Sequence, residues 1–190
     1  TGGELARHLL GRFQLQTIKM VPAEGVGDHY DPVAGEVRLS LENMDRRSLT
    51  AIATAAHEVG HAIQHATDYH PFVWRQRLVG FSQFSGRIGS FLLFAVPVLT
   101  LITKTPAAGL LMFLAAVGTL GISVLVQLLT LPVEWDASFG RALPILEAGY
   151  IEESQRPAVR RILRACALTY VASSLAGLLN FWRWLAVLRR

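Results

Sequence analysis

Apolar and polar positions alternate along this chain in three successive rhythms. In TGGELARHLLGRF, Leu5, Leu9, Leu10 and Phe13 recur at helical intervals, which predicts an amphipathic helix. A short Thr17–Val21 segment reads as a strand, and Gly25, Gly27, Asp28, Asp31, Pro32 and Gly35 form a turn-rich connection after it. In EVRLSL, residues 36–41, Val37, Leu39 and Leu41 alternate with Arg38 and Ser40, the signature of a half-buried strand. Ser48 is placed to cap a helix running from Leu49 to about Ala66, with Leu49, Ile52, Ala53, Ala56 and Gly60 as its small and apolar packing surface.

Beyond residue 80 the rhythm gives way to charge-free sequence. Ile88–Thr103, Thr105–Val133 and Ala165–Trp182 contain no charged residue. A bilayer-spanning helix needs about 20 apolar residues. The second run meets this directly. The first meets it with Gly80, Phe81, Phe84 and Gly86 and a snorkelling Arg87, and the third by extending to Leu188. Pro97 and Pro106 are tolerated in or beside such spans. The expected fold is therefore mostly α: about three transmembrane helices and a small α/β part at the membrane surface. Its segments are 1–80, with an edge strand at 36–41 and a motif-bearing helix at 48–66; a transmembrane hairpin at 81–133; a returning segment at 134–164; and a C-terminal span at 165–190.

Composition agrees with that expectation. The 190 residues make room for one domain, 52% are hydrophobic, and only 17% are charged against roughly 25% in soluble domains. No charged leader precedes an apolar stretch at the start, so no signal peptide is read there. The single cysteine, Cys166, excludes a disulfide or a cysteine-type zinc site within the chain. A net charge of +4 resides in residues flanking the apolar runs, without a basic, aromatic-interleaved stripe, which argues against nucleic acid as a partner.

The chemistry is concentrated in AAHEVGHAIQHA. His57 and His61 lie four residues apart on the expected helix and project from one face, with Glu58 beside the first. This HExxH pattern is the minimum equipment for zinc-dependent peptide hydrolysis: two imidazoles on one zinc ion and a carboxylate to take the proton of the attacking water. Catalytic zinc takes three protein ligands. Two membrane crossings would return the chain to its starting side at LPVEWDASFGRALP, which makes Glu134 the first choice for the third. Asp136, Glu147, Glu152 and Glu153 remain as alternatives. The positive residues on that side (Arg75, Arg77, Arg87, Arg141, Arg156, Arg160, Arg161 and Arg164, against Lys104 in the turn) are expected to place the site on the cytoplasmic face of the membrane.

Around this site, the strand at 36–41 is expected to pair its edge with an extended peptide. His65 repeats the four-residue spacing, but three successive turns cannot wrap one ion. Gln64 and Thr67 stand where a metzincin would have Gly and His. Candidates to stabilise an oxyanion are His70, Tyr30, His29 and Arg141, while Asp136 is suited to orient a zinc histidine through its distal N–H.

TGGELARHLL, DHYDPVAGEVRLS, AAHEVGHAIQHA and LPVEWDASFGRAL, in this order along nearly the whole chain, resemble the YugP-like neutral zinc metallopeptidases, a group of bacterial integral-membrane proteins. The resemblance implies a gluzincin-type site in a protein of the bacterial inner membrane: one zinc ion on His57, His61 and Glu134, Glu58 as base, and peptide or protein substrates, some of them membrane-derived. More distantly the chain resembles the HtpX and CAAX-prenyl membrane endopeptidases, whose second motif has Asp four residues after the Glu; here position 138 is Ser. The group usually carries a further membrane helix before the first motif, so an additional N-terminal span is expected in the full-length protein. The rival classes are a catalytically silent zinc-binding membrane chaperone or adaptor, a hydrolase of non-peptide amides or lipids, and a transporter. The small-residue faces of the second and third runs suit packing within the chain or against a second copy in an oligomer.

Overall fold

The computed structural model describes residues 1–25, 27–80, 84, 106–169 and 172, with the side chains of only part of 106–130. The chain divides into two compact units, Thr1–Val73 with Leu131–Thr169, and Trp74–Thr130 with Tyr170–Arg190. In chain order the elements are α1 (Gly2–Arg12), β1 (Lys19–Pro22), β2 (His29–Asp31), β3 (Glu36–Leu39), α2 (Leu41–Asp45) and α3 (Leu49–Ala66). Helix α4 covers residues 70–80. Helix α5 (Pro106–Trp135) runs directly into a π-helical segment, Asp136–Ala142, and then α6 (Leu143–Glu147). A 3-10 turn, Glu153–Gln155, leads into α7, residues 156–169.

The first unit is built around α3. Ser48 caps it as expected, its hydroxyl accepting the Ala51 amide at 3.1 Å. Ala51, Ala53, Ala55, Ala56, Val59 and Ala62 are fully buried, so α3 is covered on most of its circumference. The expected apolar stripe of α1 is real: Leu5, Leu9 and Leu10 are buried in the same core, although Phe13 stays 38% exposed. From the other direction come Val133, Ala142, Leu143 and Leu146, and Val159 and Leu163 of α7.

The sheet differs from expectation. Its order is β1-β3-β2, with β1 parallel and β2 antiparallel to β3. Residues 36–41 were expected to supply a free edge; instead β3 is the middle strand, and the two edges belong to β1 and β2. The reason is that the turn-rich stretch hides β2. Asp31 accepts the amides of Val33 and Ala34 at 2.9 and 3.0 Å, Gly35 takes a positive φ of 67°, and the chain reverses so that Tyr30 pairs with Val37. The Ala34 amide, aided by Val33 and the nearby Arg38 guanidinium, holds the Asp31 carboxyl below its ordinary pKa despite some burial.

Among the described residues no helix is long and apolar enough to cross a membrane. This overturns the expected fold of about three transmembrane helices, and with it the reading as a membrane endopeptidase and the placement in a bacterial inner membrane. The first apolar run and all but the beginning of the third lie outside the described residues. A run without charges can be set against the protein core as well as against lipid. Val133, at the end of the second run, is buried in the protein core. The opening of the third run continues α7, where Val159, Leu163 and Ala167 are buried while Arg156, Arg160, Arg161 and Arg164 are interleaved among them.

Gly60 decides how closely the returning segment approaches α3. A Cβ there would lie 2.8 Å from the Ala137 carbonyl oxygen and 3.3 Å from its Cα. An unhindered Gly→Ala change inside a helix stabilises by roughly 0.5–1 kcal/mol. Here the clash is with backbone, and overpacking of that kind costs about 1–3 kcal/mol. Gly60→Ala is therefore expected to lower the midpoint of urea unfolding and to reduce the zinc retained by the purified protein. A gain in stability with full zinc would contradict the close approach.

Candidate metal centre

Helix α3 presents His57 and His61 one turn apart, both about 95% buried, with ring centroids 4.7 Å apart. Glu134, at the C-terminal end of α5, enters between them: its Oε2 lies 3.2 Å from Nε2 of His57 and 3.2 Å from Nε2 of His61. All three donor atoms fall within 4.8 Å of one another, and this is the cluster of potential metal ligands found among the described residues.

The outward nitrogens of the two rings reveal which tautomers are present. Ser138 Oγ lies 2.9 Å from His57 Nδ1 and donates its own hydrogen to the Leu163 carbonyl at 3.0 Å. With that hydrogen committed, Ser138 accepts from His57, and Nδ1 carries the proton. Gln64 Oε1, which can only accept, lies 2.9 Å from His61 Nδ1, so that nitrogen too carries its proton. With Nδ1 protonated, each ring in its neutral form turns a bare Nε2 lone pair toward the carboxylate oxygen. Three acceptors converge on one point in a buried place, an arrangement that a cation satisfies.

Its dimensions suit zinc. A tetrahedral site with bonds of about 2.0–2.1 Å has ligand–ligand edges of about 3.3 Å, close to both 3.2 Å separations. Two imidazoles and one carboxylate are a donor set of catalytic rather than structural sites.

The remaining expected site residues divide clearly. Glu58 is buried on α3 immediately beside His57. Asp136 does not accept a histidine N–H directly; its Oδ2 accepts from Gln64 Nε2 and from Arg141 Nε, both at 2.8 Å. Arg141, held by that carboxylate and laid over the Tyr69 ring at 5.4 Å, is committed away from the two Nε2 atoms. Tyr30 is not in the cluster. Burial, with a smaller push from Asp31, raises its hydroxyl pKa, so it stays protonated, 2.8 Å from His65 Nδ1. Tyr30 and His65 line a cavity of about 370 Å3 with Leu15, Ile18 and Val33. His70 is exposed at the start of α4, and His29 contacts the Gly27 carbonyl at 2.8 Å.

Two residues around the cluster were not identified from sequence, Ser138 and Gln64. Their signals were present in the spacing: Ser138 stands four residues after Glu134, where the related motif has Asp, and Gln64 three residues after His61.

Comparison with known proteins agrees with this geometry. The family model described as "putative neutral zinc metallopeptidase" matches residues 1–189. The chain belongs to this neutral zinc metallopeptidase family. It is also 36% identical over 188 residues to "Putative membrane protease YugP" of Bacillus subtilis (strain 168), covering 98% of this chain and 80% of that protein. No solved structure matches. As a zinc metallopeptidase, the chain has in His57, His61 and Glu134 a cluster able to hold one Zn2+ ion.

Cys166 lies near this metallopeptidase site. Burial first, and the Glu58 charge second, push its thiol up to about 11, against a smaller opposing effect of the Thr54 hydroxyl. At pH 8 only about one thiol in a thousand is then thiolate, and the thiolate is the nucleophile. Alkylation by iodoacetamide at pH 8 is expected to be far slower than that of a free cysteine, and Glu58→Gln to accelerate it by removing the raising charge. Fast labelling of the native protein, or a rate unchanged by Glu58→Gln, would contradict the placement.

Proposed function

We propose that this metallopeptidase hydrolyses peptide bonds of polypeptide substrates, with His57, His61 and Glu134 as its metal ligands and Glu58 as general base and then general acid. The observation that carries the reading is the convergence of two imidazole nitrogens on one Glu134 oxygen at 3.2 Å, with Glu58 buried next to the first imidazole.

A zinc ion bound there supplies Lewis acidity to the scissile carbonyl and to the attacking water. The protein supplies the rest. His57 and His61 offer neutral Nε2 donors because Ser138 and Gln64 hold their protons on Nδ1. Glu58 follows His57 in the helix, about 100° further round its axis, and stands outside the three-residue ligand cluster. Its carboxylate takes a proton from the attacking water and delivers that proton to the departing amine nitrogen. Burial on α3 restricts its side chain to few positions, so proton transfer requires little reorganisation.

The assignment of roles separates binding from chemistry. Glu58→Gln keeps shape and removes the base; it is expected to retain one zinc per chain by elemental analysis and to lose about 10²–10⁴-fold in peptide cleavage followed by mass spectrometry. Glu134→Gln is expected to lose zinc and cleavage together. Undiminished cleavage by Glu58→Gln would remove Glu58 from its role, and a wild-type chain that holds zinc without cleaving any peptide library would favour a silent zinc-binding adaptor instead.

A further inference from the structure

Gln64 is fully buried, and three of the four hydrogen-bonding positions of its amide are taken, both N–H donors included. Oε1 accepts the Nδ1–H of His61 at 2.9 Å. One Nε2 hydrogen goes to the Val133 carbonyl at 2.8 Å and the other to Asp136 Oδ2 at 2.8 Å. Turned over, the amide would set its oxygen against a carbonyl and a carboxylate at those two places, so only one orientation is satisfied. Asp136 is itself held by Arg141 Nε at 2.8 Å.

These contacts run in one direction. Arg141 fixes Asp136, Asp136 fixes which way the Gln64 amide faces, and the amide fixes which nitrogen of His61 carries a proton. The same amide grips the backbone of Val133, the residue immediately before Glu134. A side chain three residues after one metal ligand thus holds the peptide unit adjoining another. The π-helical winding of Asp136–Ala142 makes this possible, because Asp136 and Arg141, five residues apart, come onto one face of a π-helix.

We infer that Gln64 is a positioning residue of the metal centre: it keeps His61 in the Nδ1–H tautomer and ties that ring to the helix end carrying Glu134, with the Asp136–Arg141 pair locking its amide. This inference rests on the metal centre described above but not on the role of Glu58. Histidine ligands usually donate their other N–H to an outer partner, and loss of such a partner costs 10- to 100-fold in metal affinity. His57 has a separate partner in Ser138, so the two rings are set independently.

That independence provides the test. The full chain carrying Gln64→Leu, and separately Ser138→Ala, is titrated with zinc against a chelating dye. The protonated nitrogen of each histidine ring is read from two-dimensional nitrogen–proton spectra at the start of the titration. Gln64→Leu is expected to weaken zinc binding 10- to 100-fold and to convert the His61 ring into a mixture of tautomers, leaving His57 unchanged; Ser138→Ala is expected to do the converse. A general loosening of the core would move both rings in both variants and would overturn the inference. Should the Leu variant not fold, Gln64→Met fills similar space with an unbranched chain and carries the same expectation. A folded Gln64→Met protein with wild-type zinc affinity and an unchanged His61 ring overturns the inference while leaving the metal centre standing. Failure of the wild-type chain to bind zinc overturns both.

Discussion

Two imidazole lone pairs and a carboxylate oxygen face one another inside the protein, and the rest of the first unit is arranged so that they must. Left to themselves, three acceptors within 4.8 Å of one another repel, and a neutral histidine would turn its N–H toward the carboxylate. Ser138 and Gln64 prevent that relief by claiming the Nδ1 protons from behind. The fold thereby keeps an electrostatically unfavourable arrangement in a form that a cation converts to a favourable one. A cation held there would add to the stability of the fold.

The close packing needed for that arrangement comes from small residues. Gly60 and the alanines of α3 let the Ala137 backbone approach the zinc helix, and this brings Glu134 and Ser138 to opposite nitrogens of the neighbouring rings. Helix α7 completes the site from outside by offering the Leu163 carbonyl to Ser138. A site of this kind tolerates little change in its second layer, because each outer hydrogen bond also determines a proton position in the inner one.

How much of this was legible in the sequence depended on how local each feature is. His57, Glu58 and His61 follow from a four-residue spacing on one capped helix, and the Ser48 cap and the Leu5–Leu9–Leu10 stripe were equally local. Glu134 was reached by a mistaken route. Two membrane crossings were expected to return it to the histidines, whereas the described structure brings it there by packing the end of α5 and the following π-helical segment against α3. Ser138 and Gln64 could not be ranked from sequence because their roles lie in what faces them across the core. The sheet failed for a similar reason: β2 is three residues long and sits among turn formers, and its pairing with β3 is what moves residues 36–39 from edge to centre. The charge-free runs misled because length and hydropathy carry no information about neighbours.

The most direct test of the central claim is anomalous diffraction at the zinc edge from crystals of the zinc-loaded protein. The account predicts a single peak within bonding distance of Nε2 of His57, Nε2 of His61 and the Glu134 carboxylate, with both Nδ1 atoms still facing Ser138 and Gln64. A peak held by Asp136 in place of Glu134, or one that leaves either Nε2 without a bond to the metal, would contradict it.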